Sequence, residues 1–144
     1  MTTKEYLSQV RIIDKRINRK TDEVNRLKQL AVSIGLDMTK ERVQTSGSKD
    51  RVGNSAASIV DAQNDAMRYI DDCIRLRTTI VNQINSLDKP IYSDILYLRF
   101  IKGMKHKDIA EELSYSLIHI RHMQTEALTA FEDRFGGLYL KTRK

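Results

Sequence analysis

A chain of 144 residues of which 40% are apolar suits one domain, or a domain with an extension, and suffices for a helical core. Its 25 Lys and Arg against 19 Asp and Glu leave a formal charge of +6, which favours a polyanionic partner. No stretch reaches the run of about 18 apolar residues that a transmembrane helix needs, so no membrane association is expected. The opening MTTKEYLSQV lacks an apolar signal core, and the single cysteine, Cys73, permits no internal disulfide. A cytoplasmic protein is therefore expected.

In chain order, Tyr6, Val10, Ile13, Ile17, Lys20, Val24, Leu27, Ala31 and Ile34 recur at alternating steps of four and three. This a/d pattern, broken only at Lys20, predicts a helix over 4–34, about 45 Å long at 1.5 Å per residue. So long an amphipathic helix needs a partner. The stretch 35–55 is polar and without period, with Gly47, Gly53 and several serines, and reads as a mobile loop. From 56 to 87 two apolar stripes follow. Val60, Met67, Ile70, Ile74, Val81 and Ile84 form one; Ile59, Ala62, Ala66, Tyr69, Cys73, Leu76, Ile80 and Leu87 form the other. A helix apolar over so wide an arc touches more than one neighbour. Its length nearly equals that of the first helix, which predicts an antiparallel hairpin, with Cys73 a small core residue.

A third helix is expected after Lys89-Pro90, since proline fits a first turn, and should stop at Gly103. Ile95, Leu96, Leu98, Phe100 and Ile101 supply its core face. The next stretch, KHKDIAEELSYSLIHIRHMQT over 105–125, carries Ile109, Ala110, Leu113, Ile120 and Met123 at the spacing of two helices sharing an apolar face across a short turn. That is the pattern of a helix-turn-helix. Ser116 stands where an N-cap is wanted. Ser116, Leu117, Ile118, Arg121, His122 and Thr125 are left on the outer face, where a major groove would lie. The second helix of the pair should run from Leu117 to Phe135, ending before Gly136-Gly137.

The run from Ile84 through Leu128, with its L-x-x-R-F-x-x-G, D-I-A-x-x-L, S-x-x-x-I and A-L, resembles region four of bacterial sigma factors. The whole chain is similar to small phage and prophage proteins of Gram-positive bacteria related to the ArpU and RinA type regulators of late genes. The resemblance implies a promoter-binding protein. Two positions depart from the pattern. Ser114 stands where glycine is usual, which costs about 1 kcal/mol in a left-handed conformation. Leu117 and Ile118 stand where related domains place polar base-reading side chains; contact with thymine methyls and contact with another protein are both open to them.

Charge is uneven. Residues 1–34 hold eight Lys or Arg against four acids, 56–88 three against five, and 89–144 ten against seven. Lys102, Lys105 and Lys107 precede the motif, where they could position a phosphate backbone. Arg11, Lys15, Arg19 and Lys20 read as the water-facing side of the first helix. Lys40, Arg42, Lys49 and Arg51 read as solvated loop charges. There is no phosphate-cradling glycine loop, no H-E-x-x-H and no cysteine-rich metal spacing, and the adjacent Asp71 and Asp72 face different sides of a helix. His106, His119 and His122 can be imagined as a metal site, but no carboxylate stands behind them. No enzyme activity, cofactor or metal is expected.

The expected fold is all-α: a long, coiled-coil-like antiparallel hairpin over 1–88, a three-helix helix-turn-helix domain over 89–136, and a basic tail over 137–144. The expected function is a DNA-binding transcriptional regulator of phage or prophage type that binds double-stranded promoter DNA. The DNA-binding residues would be Ser116, Leu117, Ile118, Arg121, His122, Thr125, Lys102, Lys105 and Lys107. Two alternatives remain: a module gripping RNA polymerase through Leu117 and Ile118 with little DNA binding, and a phage DNA-packaging small subunit. A homodimer is compatible with the wide apolar arc of the middle helix.

Overall fold

A computed structural model describes residues 1–35 and 49–140, with 49–55 as backbone alone. Among the described residues the protein is all-helical and has no strand. The α-helices are α1 (Thr3–Ser33), α2 (Lys49–Asn85), α3 (Pro90–Leu96), α4 (His106–Leu113) and α5 (Leu117–Phe135). A π-helical turn, Tyr97–Ile101, prolongs α3, and a 3-10 turn, Gly136–Leu138, follows α5. No helix among the described residues is long and apolar enough to cross a membrane.

Packing divides the chain into two compact units, 1–15 with 75–144 and 16–74, which differs from a boundary near 88. The reason lies in the first turns of α1. Tyr6, Leu7 and Val10 are buried together with Ile80, Ile84 and Leu87 near the end of α2, Leu96, Phe100 and Ile101, and Ala127 and Phe131 of α5. Heptad spacing omits Leu7, yet it is fully buried, because the C-terminal helices cover this end of α1 on a second side. Polar contacts fix the register of the pair within this unit. The Tyr6 hydroxyl donates to Gln83 Oε1 at 2.7 Å, and Arg77 Nε donates to Asp14 Oδ1 at 2.7 Å.

In the unit 16–74, Ala31 and Ile59 are buried against each other with Leu27 and Ala56 beside them. Lys20, the polar break in the heptads, is half-buried: its ammonium lies 5.3 Å from the centre of the Tyr69 ring and 3.1 Å from Glu23 Oε2. A long lysine stem with a paired head is tolerated at such a position. Of the two stripes of α2, one buries Ile59 and Ala66 here while its Tyr69 stays 37% exposed, and Met67 and Ile74 of the other are 54% and 45% exposed. Cys73 is half-buried rather than in the core.

α2 begins at Lys49, ahead of residue 56 where its apolar stripes start. The expectation of a loop over 35–55 is corrected to that extent: once a helix is nucleated by its packed part, each further residue adds a hydrogen bond for little entropy, and no apolar period is needed. The remainder of that expectation, 36–48, lies outside the described residues, as does 141–144 of the expected tail. Of the tail expected from Gly137, Leu138 is exposed but Tyr139 is packed: its ring stacks on Tyr6 with centres 4.2 Å apart and its hydroxyl lies 2.8 Å from Thr3 Oγ1. Burial pushes the phenol of Tyr139 above its ordinary value, as it does that of Tyr6.

Phe131 is fully buried, and its ring lies 6.0 Å from that of Tyr6 and 5.0 Å from that of Phe135. Phe131→Ala is expected to lower the unfolding free energy by about 3–5 kcal/mol, read as a reduced urea midpoint with an unchanged slope. A loss below about 1 kcal/mol would show that this core is not cooperative with the rest.

Candidate nucleic-acid interface

α3, α4 and α5 meet around Ile95, Leu98, Ile109, Ala110, Ile120 and Met123, all buried, with Leu113 packed against them. Each residue expected to face inward at this corner does so. The entry to α4 is set by Gly103, whose φ of +70° favours glycine and lets the Met104 N–H reach the Leu98 carbonyl at 3.0 Å. Arg99 Nη1 donates to the Met104 carbonyl at 2.9 Å and braces the same turn. Lys102, Lys105 and Lys107 are exposed around it.

Between α4 and α5 the chain turns at Ser114, which adopts φ 61°, ψ 41°, the left-handed conformation that the sequence requires of it. The Tyr115 N–H then returns to the Ala110 carbonyl at 3.0 Å. Ser116 caps α5: its Oγ accepts the His119 N–H at 3.1 Å. Its hydroxyl is thus used in folding the site, though the residue is exposed.

The first half of α5 presents one face outward. Leu117 is 37% and Ile118 80% exposed, and Arg121, His122 and Thr125 are exposed beside them. These side chains are not equally free. His122 Nε2 lies 3.1 Å from Glu126 Oε1, and Thr125 Oγ1 donates to the Arg121 carbonyl at 3.2 Å. Arg121 forms no ion pair with a described residue, and neither does Lys102, Lys105 or Lys107. The guanidinium of Arg121 and the apolar surface of Leu117 and Ile118 are the groups left to meet a partner.

Three contacts at this face were not anticipated from the sequence. Gln124 is buried at 7% exposure, and its Oε1 lies 2.5 Å from His106 Nε2, joining the start of α4 to α5. Its place four residues after Ile120 signals the inward position, and its amide needs a buried partner there. Tyr115 packs edge-on to His119, their rings 5.0 Å apart. The Tyr92 hydroxyl donates to Glu126 Oε2 at 2.7 Å, a pairing across 34 residues with no local signal. His106, His119 and His122 are therefore engaged with different partners, and no metal-holding group of three or more such side chains occurs among the described residues.

Comparison with models of known protein families, with curated proteins and with solved structures gives no match.

The hydrogen bond from Tyr92, with His122 and Lys89 adding attraction, holds the Glu126 carboxyl below its ordinary value. A carboxyl lowered in the folded state contributes stability above its unfolded pKa, and that contribution is lost as pH falls through the folded value. Glu126 is exposed, so the contribution is small. Tyr92→Phe is expected to raise the Glu126 pKa toward the ordinary glutamate value, followed by carboxyl chemical shift in an NMR titration. An unchanged titration would rule out the hydrogen bond in solution.

Proposed function

We propose that the protein is a double-stranded DNA-binding transcriptional regulator of the phage or prophage type, in which an antiparallel helical hairpin carries a sigma-region-four-like helix-turn-helix. In this reading α4 crosses the backbone and α5 lies in the major groove. The observation that carries it is the division of α5's first half: Ile120, Met123 and Gln124 are buried, while Leu117, Ile118 and the unpaired Arg121 are turned outward beyond a capped, left-handed turn. Arg121 would read a guanine edge, Leu117 and Ile118 thymine methyls, and Lys102, Lys105 and Lys107 the phosphates. His122 and Thr125 take a lesser part, since each already has an intramolecular partner.

The test is binding to fragments of the protein's own genomic neighbourhood against random duplex at two salt concentrations. A preference of about a thousandfold or more that survives the higher salt is expected. Arg121→Ala should weaken specific binding by about 1–3 kcal/mol and relax base choice, whereas Lys105→Ala should lower affinity for all sequences and reduce the salt slope by about 1. Equal loss on specific and random duplexes for Arg121→Ala would remove its reading role.

The exposure of Ile118 favours a second reading, an interaction module that grips RNA polymerase and touches DNA little. It expects salt-insensitive binding to the polymerase that is abolished when Leu117 and Ile118 are both replaced by Ser. A complex that survives the double replacement would dispose of it. A DNA-packaging subunit is the third reading, and its ring-shaped oligomers would separate by sedimentation from a monomeric or homodimeric regulator.

A further inference from the structure

The first stretch of α1 lies in the same compact unit as α3–α5, and its charges are unevenly satisfied. Its two acids are occupied: Glu5 Oε2 accepts the Thr2 N–H at 3.0 Å, and Asp14 is bound by Arg77. Its cations Lys4, Arg11 and Lys15 are exposed and form no ion pair with a described residue. Steps of seven and four put them on one ridge of the helix, away from Tyr6, Val10 and Ile13 and bordering the side on which Leu7 is buried. The ridge is about 16 Å long, close to five base-pair steps of roughly 3.4 Å.

Arg11 connects this ridge to the turn before α4. Its guanidinium lies over Gly103 so closely that any side chain at 103 would overlap it. Glycine at 103 thus serves two ends, the positive φ of the turn and the seat of the guanidinium. Lys102 is the neighbour of that seat and is also exposed. Arg11 is thus seated at the turn that also carries the exposed Lys102, and a guanidinium fork suits phosphate.

We infer that Arg11 and Lys15 of α1 form a second phosphate-contacting surface, which extends the DNA interface from the Lys102–Lys105 turn along the backbone of the same duplex. This rests on the DNA-binding reading given above. Such contacts position the protein and carry no base information, so they add to affinity and not to specificity.

The experiment measures duplex affinity against salt for the full chain, for the Arg11→Ala, Lys15→Ala double variant, for Arg11→Lys and for Lys105→Ala. The double variant should flatten the slope of log affinity against log salt by about 2 and weaken specific and random duplexes by the same factor. Arg11→Lys should keep the slope, and the circular dichroism of all variants should match the parent. A double variant with the parental slope, while Lys105→Ala loses about 1, would overturn the inference and leave the interface reading intact. A parent chain without salt-dependent duplex binding would overturn both.

Discussion

Burial of the Phe131 ring is the interaction on which the first compact unit depends. The ring has no exposure, and the rings of Tyr6, Phe135 and Tyr139 stand within 6.3 Å of its centre. Burying one such side chain contributes about 1.5–3 kcal/mol, and here it gathers α1, α5 and the closing turn around one point. The consequence falls on α5. Its second half is held by this core, and its first half is held by the smaller cluster with α3 and α4. Two anchors along 19 residues leave the helix no freedom to roll, so the face carrying Leu117, Ile118 and Arg121 stays outward.

Apolar contact alone would permit these helices to slide, and the buried polar groups remove that latitude. Thr3 binds Glu132 and Tyr139, Ser93 donates to the Ile84 carbonyl at 2.8 Å, and Gln124 meets His106. Among the described residues no buried side-chain polar atom lacks a partner. Each of these bonds joins two different elements, and each would be left unsatisfied by a shift of one helical residue. Their worth lies in that penalty more than in their net gain.

What the sequence disclosed and what it hid divide along the same line. The boundaries of α5, the cap at Ser116, the left-handed Ser114 and the inward set Ile109, Ala110, Ile120 and Met123 all follow from local chemistry and period, and they were legible. So was an all-α chain. Leu7, Tyr139 and the Tyr92–Glu126 bond were not, because their roles come from neighbours far along the chain. The start of α2 at Lys49 escaped for the opposite reason: a helix extended past its packed part needs no pattern. At the candidate interface the residues were legible but their availability was not, since only coordinates reveal that His122 and Thr125 are engaged while Arg121 is unpaired.

That availability bounds the surface. From Leu117 to Thr125 the helix rises about 12 Å, comparable to the roughly 12 Å width of a major groove. One turn beyond Arg121 stands Glu126, an exposed carboxyl whose ionised form the Tyr92 hydroxyl favours and whose negative charge opposes phosphate. In the proposed reading, a duplex would be favoured over the first turns of α5 and disfavoured past them. Besides Arg121, unpaired cations of the same unit lie at the turn before α4 and on the ridge of α1. A duplex drawn to those cations and kept from Glu126 would meet α5 by its N-terminal end, where the exposed leucine, isoleucine and arginine stand.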